Sequence, residues 1–194
     1  MVIISGPSGS GKGTVVKRLD AAKGYARSIS VTTRPPREGE DDGRDYFFTT
    51  PEEFTRMRQT GELLEHALFV GHNYGTPRRY VEQQIAEGKV VVLEIEINGA
   101  LQVKGKFPDA VLIFLMPPTM DELSRRLNAR ATEDAVTIDA RLKRASEEVP
   151  LISAYDYLVI NDEVGCAVAK IDAIVDAERL RPRRCQSQIN QFFI

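Results

Sequence analysis

Four short apolar runs set the strongest limit on how this chain folds. They are Val2-Ile3-Ile4, Val90-Val91-Val92-Leu93, Val111-Leu112-Ile113-Phe114-Leu115 and Tyr157-Leu158-Val159-Ile160. They are rich in branched residues and do not alternate with polar ones. A strand with one wet face alternates, whereas a strand covered on both faces does not. The runs therefore predict a parallel sheet with helices on each side. Ser28-Ile29-Ser30-Val31 is a weaker fifth candidate.

Helical segments fall between the runs. Lys12 to Ala22 carries Val15, Val16 and Leu19 on one face. Thr50-Pro51-Glu52-Glu53 reads as a helix start, with a cap, Pro at the first position and Glu three after the cap. Thr119-Met120-Asp121-Glu122 repeats that logic ahead of Leu123 and Leu127. Further helices are predicted from Thr137, through Ile138, Leu142 and Ala145, and over Ala167 to Leu180. The alternation predicts an α/β fold: a three-layer core of about five parallel strands.

Residues 32–88 break the rhythm, with more Gly, Pro, Thr and aromatic residues, and read as an inserted mixed subdomain. The core then comprises 1–31 and 89–180. The tail 181–194, with Arg181-Pro182-Arg183-Arg184, is expected to be a frayed, solvated extension. At 194 residues the chain suits a single domain.

Lys plus Arg is 26 against 28 for Asp plus Glu, a formal net charge of -2. A general nucleic-acid coat needs a strong positive excess, so no nucleic-acid partner is expected. Two cysteines are too few for a disulfide framework. The longest apolar run, Ala110 to Met116, stops at Pro117-Pro118, far short of the about 20 residues of a membrane span. No basic stretch followed by a long apolar one opens the chain. The expected setting is the cytoplasm, away from membranes, as a monomer or small homo-oligomer.

The sharpest chemical motif is Gly6-Pro7-Ser8-Gly9-Ser10-Gly11-Lys12, between a predicted strand and a predicted helix. That is the context a phosphate-binding loop requires. Glycines let backbone N–H groups converge on phosphate oxygens, and the helix N-terminus adds its positive end. Lys12 can reach the β and γ phosphates of a nucleotide. The Ser or Thr that usually follows the lysine is Gly13 here, with Thr14 next. Mg²⁺ is then held by phosphates and water, with Thr14 as a further candidate, an arrangement this ion tolerates.

A second anion site is suggested by Ser30-Val31-Thr32-Thr33-Arg34-Pro35-Pro36-Arg37-Glu38-Gly39-Glu40 and the later Asp45-Tyr46. Two arginines three apart in a proline-stiffened loop form a plausible phosphate clamp, because the guanidinium fork matches phosphate oxygens. Glu94-Ile95-Glu96 puts two carboxylates on one face of a strand end. Arg126 and Arg130 lie four apart on one helix face, and Arg141 follows on the next helix.

With Glu65, Gly71-His72-Asn73-Tyr74-Gly75-Thr76 and Asn161-Asp162, these segments stand in the order found in guanylate kinases, and the chain resembles that family over about residues 2 to 178. The resemblance implies transfer of the γ-phosphoryl of ATP to GMP, with Mg²⁺ as cofactor. It implies that Gly6 to Thr14 bind ATP, together with Arg126 and Asn161. Lys12, Arg130 and Arg141 would act on the transferring group, with the arginines on a helical lid at about 121–145. Arg34, Arg37, Tyr46 and Tyr74 would hold the GMP phosphate. Ser30, Glu65, Thr76 and Glu96 would surround the guanine, and Glu94 would stand near the Mg²⁺ water shell. Position 96 is usually Asp in the family, and the Gly that usually follows the second lid arginine is Ala131 here. The rival readings are a non-catalytic guanylate kinase-like interaction module and a kinase for a different phosphorylated small molecule. Retention of Gly11-Lys12, Arg34, Arg37, Glu65, Arg130 and Arg141 disfavours the module.

Overall fold

The computed structural model describes residues 1–19, 23–129 and 135–193. In chain order the first half contains β1 (Val2–Ser5), α1 (Lys12–Arg18), β2 (Tyr25–Arg27), β3 (Val31–Thr32), β4 (Phe47–Phe48), α2 (Pro51–Gln59), β5 (Leu63–Phe69), β6 (His72–Pro77) and α3 (Arg78–Ala86). The second half contains β7 (Val90–Glu94), α4 (Ile97–Lys106), β8 (Val111–Met116), α5 (Met120–Ala129), α6 (Ala135–Glu148), β9 (Tyr157–Ile160), α7 (Val164–Arg179) and α8 (Gln186–Gln191).

The predicted parallel sheet is present, with five strands in the order β2-β7-β1-β8-β9. All four of its pairings are parallel. Successive side chains divide between two apolar layers, as strand geometry requires. Val2, Ile4, Val92, Ile113 and Leu115 pack with Val15 and Val16 of α1 and Ile171 and Val175 of α7. Ile3, Val91, Leu93 and Leu112 pack on the other face with Val81 of α3 and Ala100 and Val103 of α4. Strands β1, β2, β7 and β8 thus bury both faces, giving the expected three layers, whereas β9 at the sheet edge buries Val159 and leaves Leu158 exposed.

The fifth strand lies three residues earlier than the sequence suggested. Tyr25–Arg27 pairs with β7, and Tyr25 and Ala26 enter the core. Past Ser28, whose N–H still reaches Val92 O at 3.0 Å, the chain leaves this sheet. Val31 and Thr32 join a second sheet, in the order β4-β3-β6-β5. That sheet is mixed, with β3 parallel to β4 and antiparallel to β6. Its small core holds Val31, Phe54 and Leu63.

The helix starts at Thr50 and Thr119 form as predicted. Thr50 Oγ1 accepts from Glu53 N at 3.2 Å and Thr119 Oγ1 from Glu122 N at 3.1 Å. Helix α1 ends at Arg18, earlier than expected, with Leu19 extended beyond it. The helices α3 and α4 were not foreseen. Neither has a side-chain cap, and α4 carries Gly99 and Gly105 within it. Leu123 and Leu127 of α5 pack on Ile138, Leu142 and Ala145 of α6.

The tail divides in two: its arginines at 181–184 are paired, whereas 186–193, with the short helix α8, stay exposed. Arg181 and Arg184 pair with the buried Glu178 at 2.7 and 3.1 Å, and Arg183 pairs with Asp109 at 3.3 Å. Glu178 also accepts from Tyr157 Oη at 2.7 Å. One buried acid thus gives the basic stretch an internal partner.

Strands β5 and β6 meet at Val70-Gly71, where Phe69 opposes His72. Val70 has φ 48° and Gly71 φ 77°. A two-residue turn with both φ positive favours Asn-Gly, and a β-branched residue is strained there. Val70 is also exposed. Val70→Asn is therefore expected to stabilise the fold by about 1 kcal/mol, seen as a higher urea midpoint at unchanged slope. A lower midpoint would mean that the valine side chain matters more than its backbone.

Candidate active site

The carboxyl ends of parallel strands are where an open α/β sheet places its ligands. Here β1 ends at Ser5, the glycine-rich loop follows, and α1 begins at Lys12. Ser5 Oγ donates to Ile95 O at 2.9 Å, joining the loop's root to the end of β7. Lys12 Nζ donates to Gly6 O at 2.6 Å and Pro7 O at 3.0 Å, so its ammonium stands across the loop mouth. Arg141 reaches the same mouth from α6, donating from Nη1 to Ser8 Oγ at 2.5 Å.

The loop is held from behind by two residues that had been expected at ATP. Asn161 Nδ2 donates to Ser10 O at 2.8 Å, from a buried position. Arg126 donates to Asn161 O at 2.8 Å and to Ser10 O at 3.4 Å, and its Nε binds Glu122 at 2.7 Å. Gly11 has φ 89°, and a Cβ there would come within 2.5 Å of Asn161 Nδ2. Only glycine permits both the left-handed backbone and this contact. Both side chains grip the loop backbone, and neither lines the cavity. Arg130 lies outside the described residues.

One cavity runs from this loop to the second sheet. Gly6, Ser8, Gly9, Gly11, Lys12, Gly13 and Arg141 line its core end. Ser30, Arg34, Arg37, Tyr46, Tyr74 and Glu65 line the other, with Glu94 and Glu96 between. The structure thus gathers most of the residues the sequence had scattered over positions 6 to 141. Pro7, Ser10 and Thr14 shape the loop and the start of α1 without lining the cavity.

At the far end, Arg34 makes a paired contact with Glu40, at 2.9 and 2.8 Å. Its guanidinium lies 5.3 Å from the centre of the Tyr46 ring, and Tyr46 meets Tyr74 edge to face at 6.0 Å. Arg37 is exposed beside them. Burial raises the Tyr46 hydroxyl, with the Glu94 charge adding to it, so the phenol remains a donor.

Glu65 is the most unusual acid of the site. It is only 3% exposed, and its Oε1 accepts from Thr76 Oγ1 at 2.7 Å. Thr76 is itself buried, and its hydroxyl is turned to Glu65. A Cβ at Gly99 would stand 2.5 Å from Glu65 Oε2, so α4 can pass this close only as glycine. Burial pushes the Glu65 carboxyl up to about 7, opposed by the Thr76 hydrogen bond and reinforced by the Glu96 charge. Glu96 stands at the start of α4, where β7 has already ended, and pairs with Arg144 at 2.7 Å.

Sequence reasoning missed Ala67, Phe69 and Glu148, which also line the cavity, and Arg144 beside it. The period of β5 was a usable signal: Glu65, Ala67 and Phe69 alternate onto one face. Arg144, three residues after Arg141, was the corresponding signal on α6.

Comparison with known proteins decides the family. The guanylate kinase family model matches residues 1–178. The chain belongs to the guanylate kinase family. Similar relatives include the guanylate kinase of Lactococcus lactis, 49% identical over 95% of this chain and 90% of that protein. The guanylate kinase of Caldanaerobacter subterraneus is 51% identical, again over 95% of this chain and 90% of that protein. The crystal structure of guanylate kinase from Anaplasma phagocytophilum superposes with a TM-score of 0.80 at 35% identity, over 95% of this chain and 88% of that one. The chain is thus an enzyme, a nucleotide-binding transferase of the kinase class, and the interaction-module reading is set aside. No helix among the described residues is long and apolar enough to cross a membrane.

The raised Glu65 carboxyl carries a pH signature. Unfolded, this acid titrates near its ordinary value, and folded it holds its proton to about 7. The folded state therefore binds more protons between those limits, and the group's contribution to stability falls as pH rises through them. Glu65→Gln removes that slope. Relative to the wild type, the ligand-free variant is expected to gain about 3 kcal/mol between pH 4.5 and 7.5 in urea unfolding. A constant difference between the two proteins across that range would refute the burial account.

Proposed function

We propose that this enzyme transfers the γ-phosphoryl group of ATP to GMP, giving ADP and GDP. The observation that carries the reading is the single cavity that joins Lys12 and Arg141 at one end to Arg34, Tyr46 and the buried Glu65 at the other. Lys12 and Arg141 face the ATP phosphates, with Arg130 as a third cation by family resemblance. Arg34, Arg37, Tyr46 and Tyr74 hold the phosphate of GMP. Glu65 and Glu96 read the guanine, with Ser30 beside them and Thr76 orienting Glu65. In this reading the second sheet is the GMP-binding unit and α5 with α6 forms the lid. Since Tyr80 and Val81 of α3 pack into the main core, the insertion proper ends nearer Pro77 than 88.

In the reaction an oxygen of the GMP phosphate attacks the γ-phosphorus of ATP, and the bond from that phosphorus to the bridging β–γ oxygen breaks. No covalent enzyme intermediate is involved. The protein contributes position and charge, which dominate phosphoryl transfer. Glu94 is the carboxylate placed to serve a metal, since a Cβ at Gly13 would lie 3.3 Å from its Oε1. No group of three acidic, His or Cys side chains forms a metal cage among the described residues. Mg²⁺ commonly takes one or two carboxylates and completes its shell with phosphate and water, so this donor set fits. Bound there with ATP, it would neutralise charge on the phosphates. Free Cys166 and Cys185 accord with a reducing, cytoplasmic setting.

Lys12→Ala is expected to leave thermal stability close to that of the wild type while lowering kcat by more than a hundredfold, because its charge is needed only at the phosphates. Activity within about tenfold of the wild type, or about 1.4 kcal/mol of barrier, would overturn the assignment of the loop.

Base choice supplies a second test. Guanine offers N1–H and its 2-amino group side by side, and an ionised Glu65 can accept from both. Adenine presents a bare acceptor at N1, leaving a buried carboxylate facing a lone pair. Rejection of AMP by roughly 10⁴-fold in kcat/KM is expected, since unpaired buried groups are costly. Glu65→Gln should lose GMP activity sharply and barely change the weak activity on AMP. Equal losses on both bases would assign Glu65 a structural role only.

A further inference from the structure

Arg144 stands on α6, three residues past Arg141, and its guanidinium touches three elements at once. Nη2 donates to Glu96 Oε2 at 2.7 Å, and Nε donates to Glu148 Oε1 at 2.9 Å. The guanidinium carbon lies 4.6 Å from the centre of the Phe69 ring on β5. Glu96, Glu148 and Phe69 all line the cavity. A helix-stapling role needs only Glu148, one turn away. Glu96 is 48 residues away in sequence. Its Oε2 accepts from Arg144 and the Gly99 N–H also favours the charged carboxylate, while Oε1 is buried without a hydrogen-bond partner among the described residues.

A buried acceptor left unpaired is costly, and such atoms commonly await a ligand. Guanine supplies a matching donor. Its 2-amino group has two hydrogens. A carboxylate that takes N1–H and one of them, as proposed for Glu65, leaves the other facing outward. We infer that Arg144 is a positioning residue for base recognition: it fixes Glu96 so that Oε1 accepts the second amino hydrogen of guanine. This rests on the GMP-site reading above. Position 96 suits this role as Glu, whose side chain is one methylene longer than that of Asp. The extra methylene lets one carboxylate reach α6 and the base together.

Steady-state kinetics with GMP and IMP test this, since hypoxanthine differs from guanine only in lacking the 2-amino group. Arg144→Met keeps an unbranched stem against Phe69 and removes the fork. It is expected to raise KM for GMP about tenfold, with kcat within about threefold and KM for ATP within about twofold. KM for IMP should move little, and Arg144→Lys should recover part of the loss. Glu96→Gln should reproduce the effect, and adding Arg144→Met to it should cost little more, because the two act through one contact. Parallel rises for GMP and IMP, an equal rise for ATP, additive effects of the two substitutions, or no change at all would each overturn the inference. A wild-type protein that phosphorylates IMP and GMP equally well would overturn it too. A wild type with no activity on either would instead remove the functional reading on which it rests.

Discussion

A sheet that is dry on both faces forces every polar task to the ends of its strands. In this molecule four strands bury apolar side chains above and below, so no catalytic group can stand on the sheet itself. The carboxyl end of β1 is where the chain first escapes that burial, and the glycine-rich loop occupies it. The loop's curvature leaves backbone groups that need partners, and these come from the neighbouring ends of the same sheet. Ile95 follows β7 and Asn161 follows β9, and each anchors a different part of the loop. Site and core are therefore one construction, since moving a strand end moves the phosphate cradle.

The electrostatics of the cavity follow from this placement. Lys12, Arg34 and Arg141 line one cavity with Glu65, Glu94 and Glu96, where water is partly excluded and charges act strongly on one another. Glu65 feels this most, because α4 passes against it and Glu96 lies close by. Arg34, just past β3, is held away from those acids by its own local partner, Glu40.

How much was legible in the sequence follows physical lines. The apolar runs and the loop motif state their environment locally, so the core and the glycine-rich loop at the end of β1 could be read directly. Capped helices were also readable, because Thr50 and Thr119 bond within three residues of themselves. Helices α3 and α4 lack such caps and are held by tertiary burial of Val81, Ala100 and Val103, which no local pattern announces. The tail was misread for the same reason: its arginines find Glu178 only after α7 has folded. Resemblance to the family named Thr76, Arg126 and Asn161, but their partners, Glu65 and the Ser10 carbonyl, come within reach only in the folded chain. Arg144 shares a helix face with Arg141, but its meaning depends on a partner 48 positions away.

The mixed-sign lining of the cavity also bears on inhibitor chemistry. Each end carries cations, Lys12 and Arg141 at one and Arg34 and Arg37 at the other, and carboxylates stand beside and between them. An uncharged, greasy scaffold would have to strip water from both without compensating either. Compounds that work here should be small and polar, with anionic and donor-bearing ends held at a fixed separation. Their selectivity over adenine-directed drugs would come from the donor edge, and their difficulty in crossing cell envelopes from the anion.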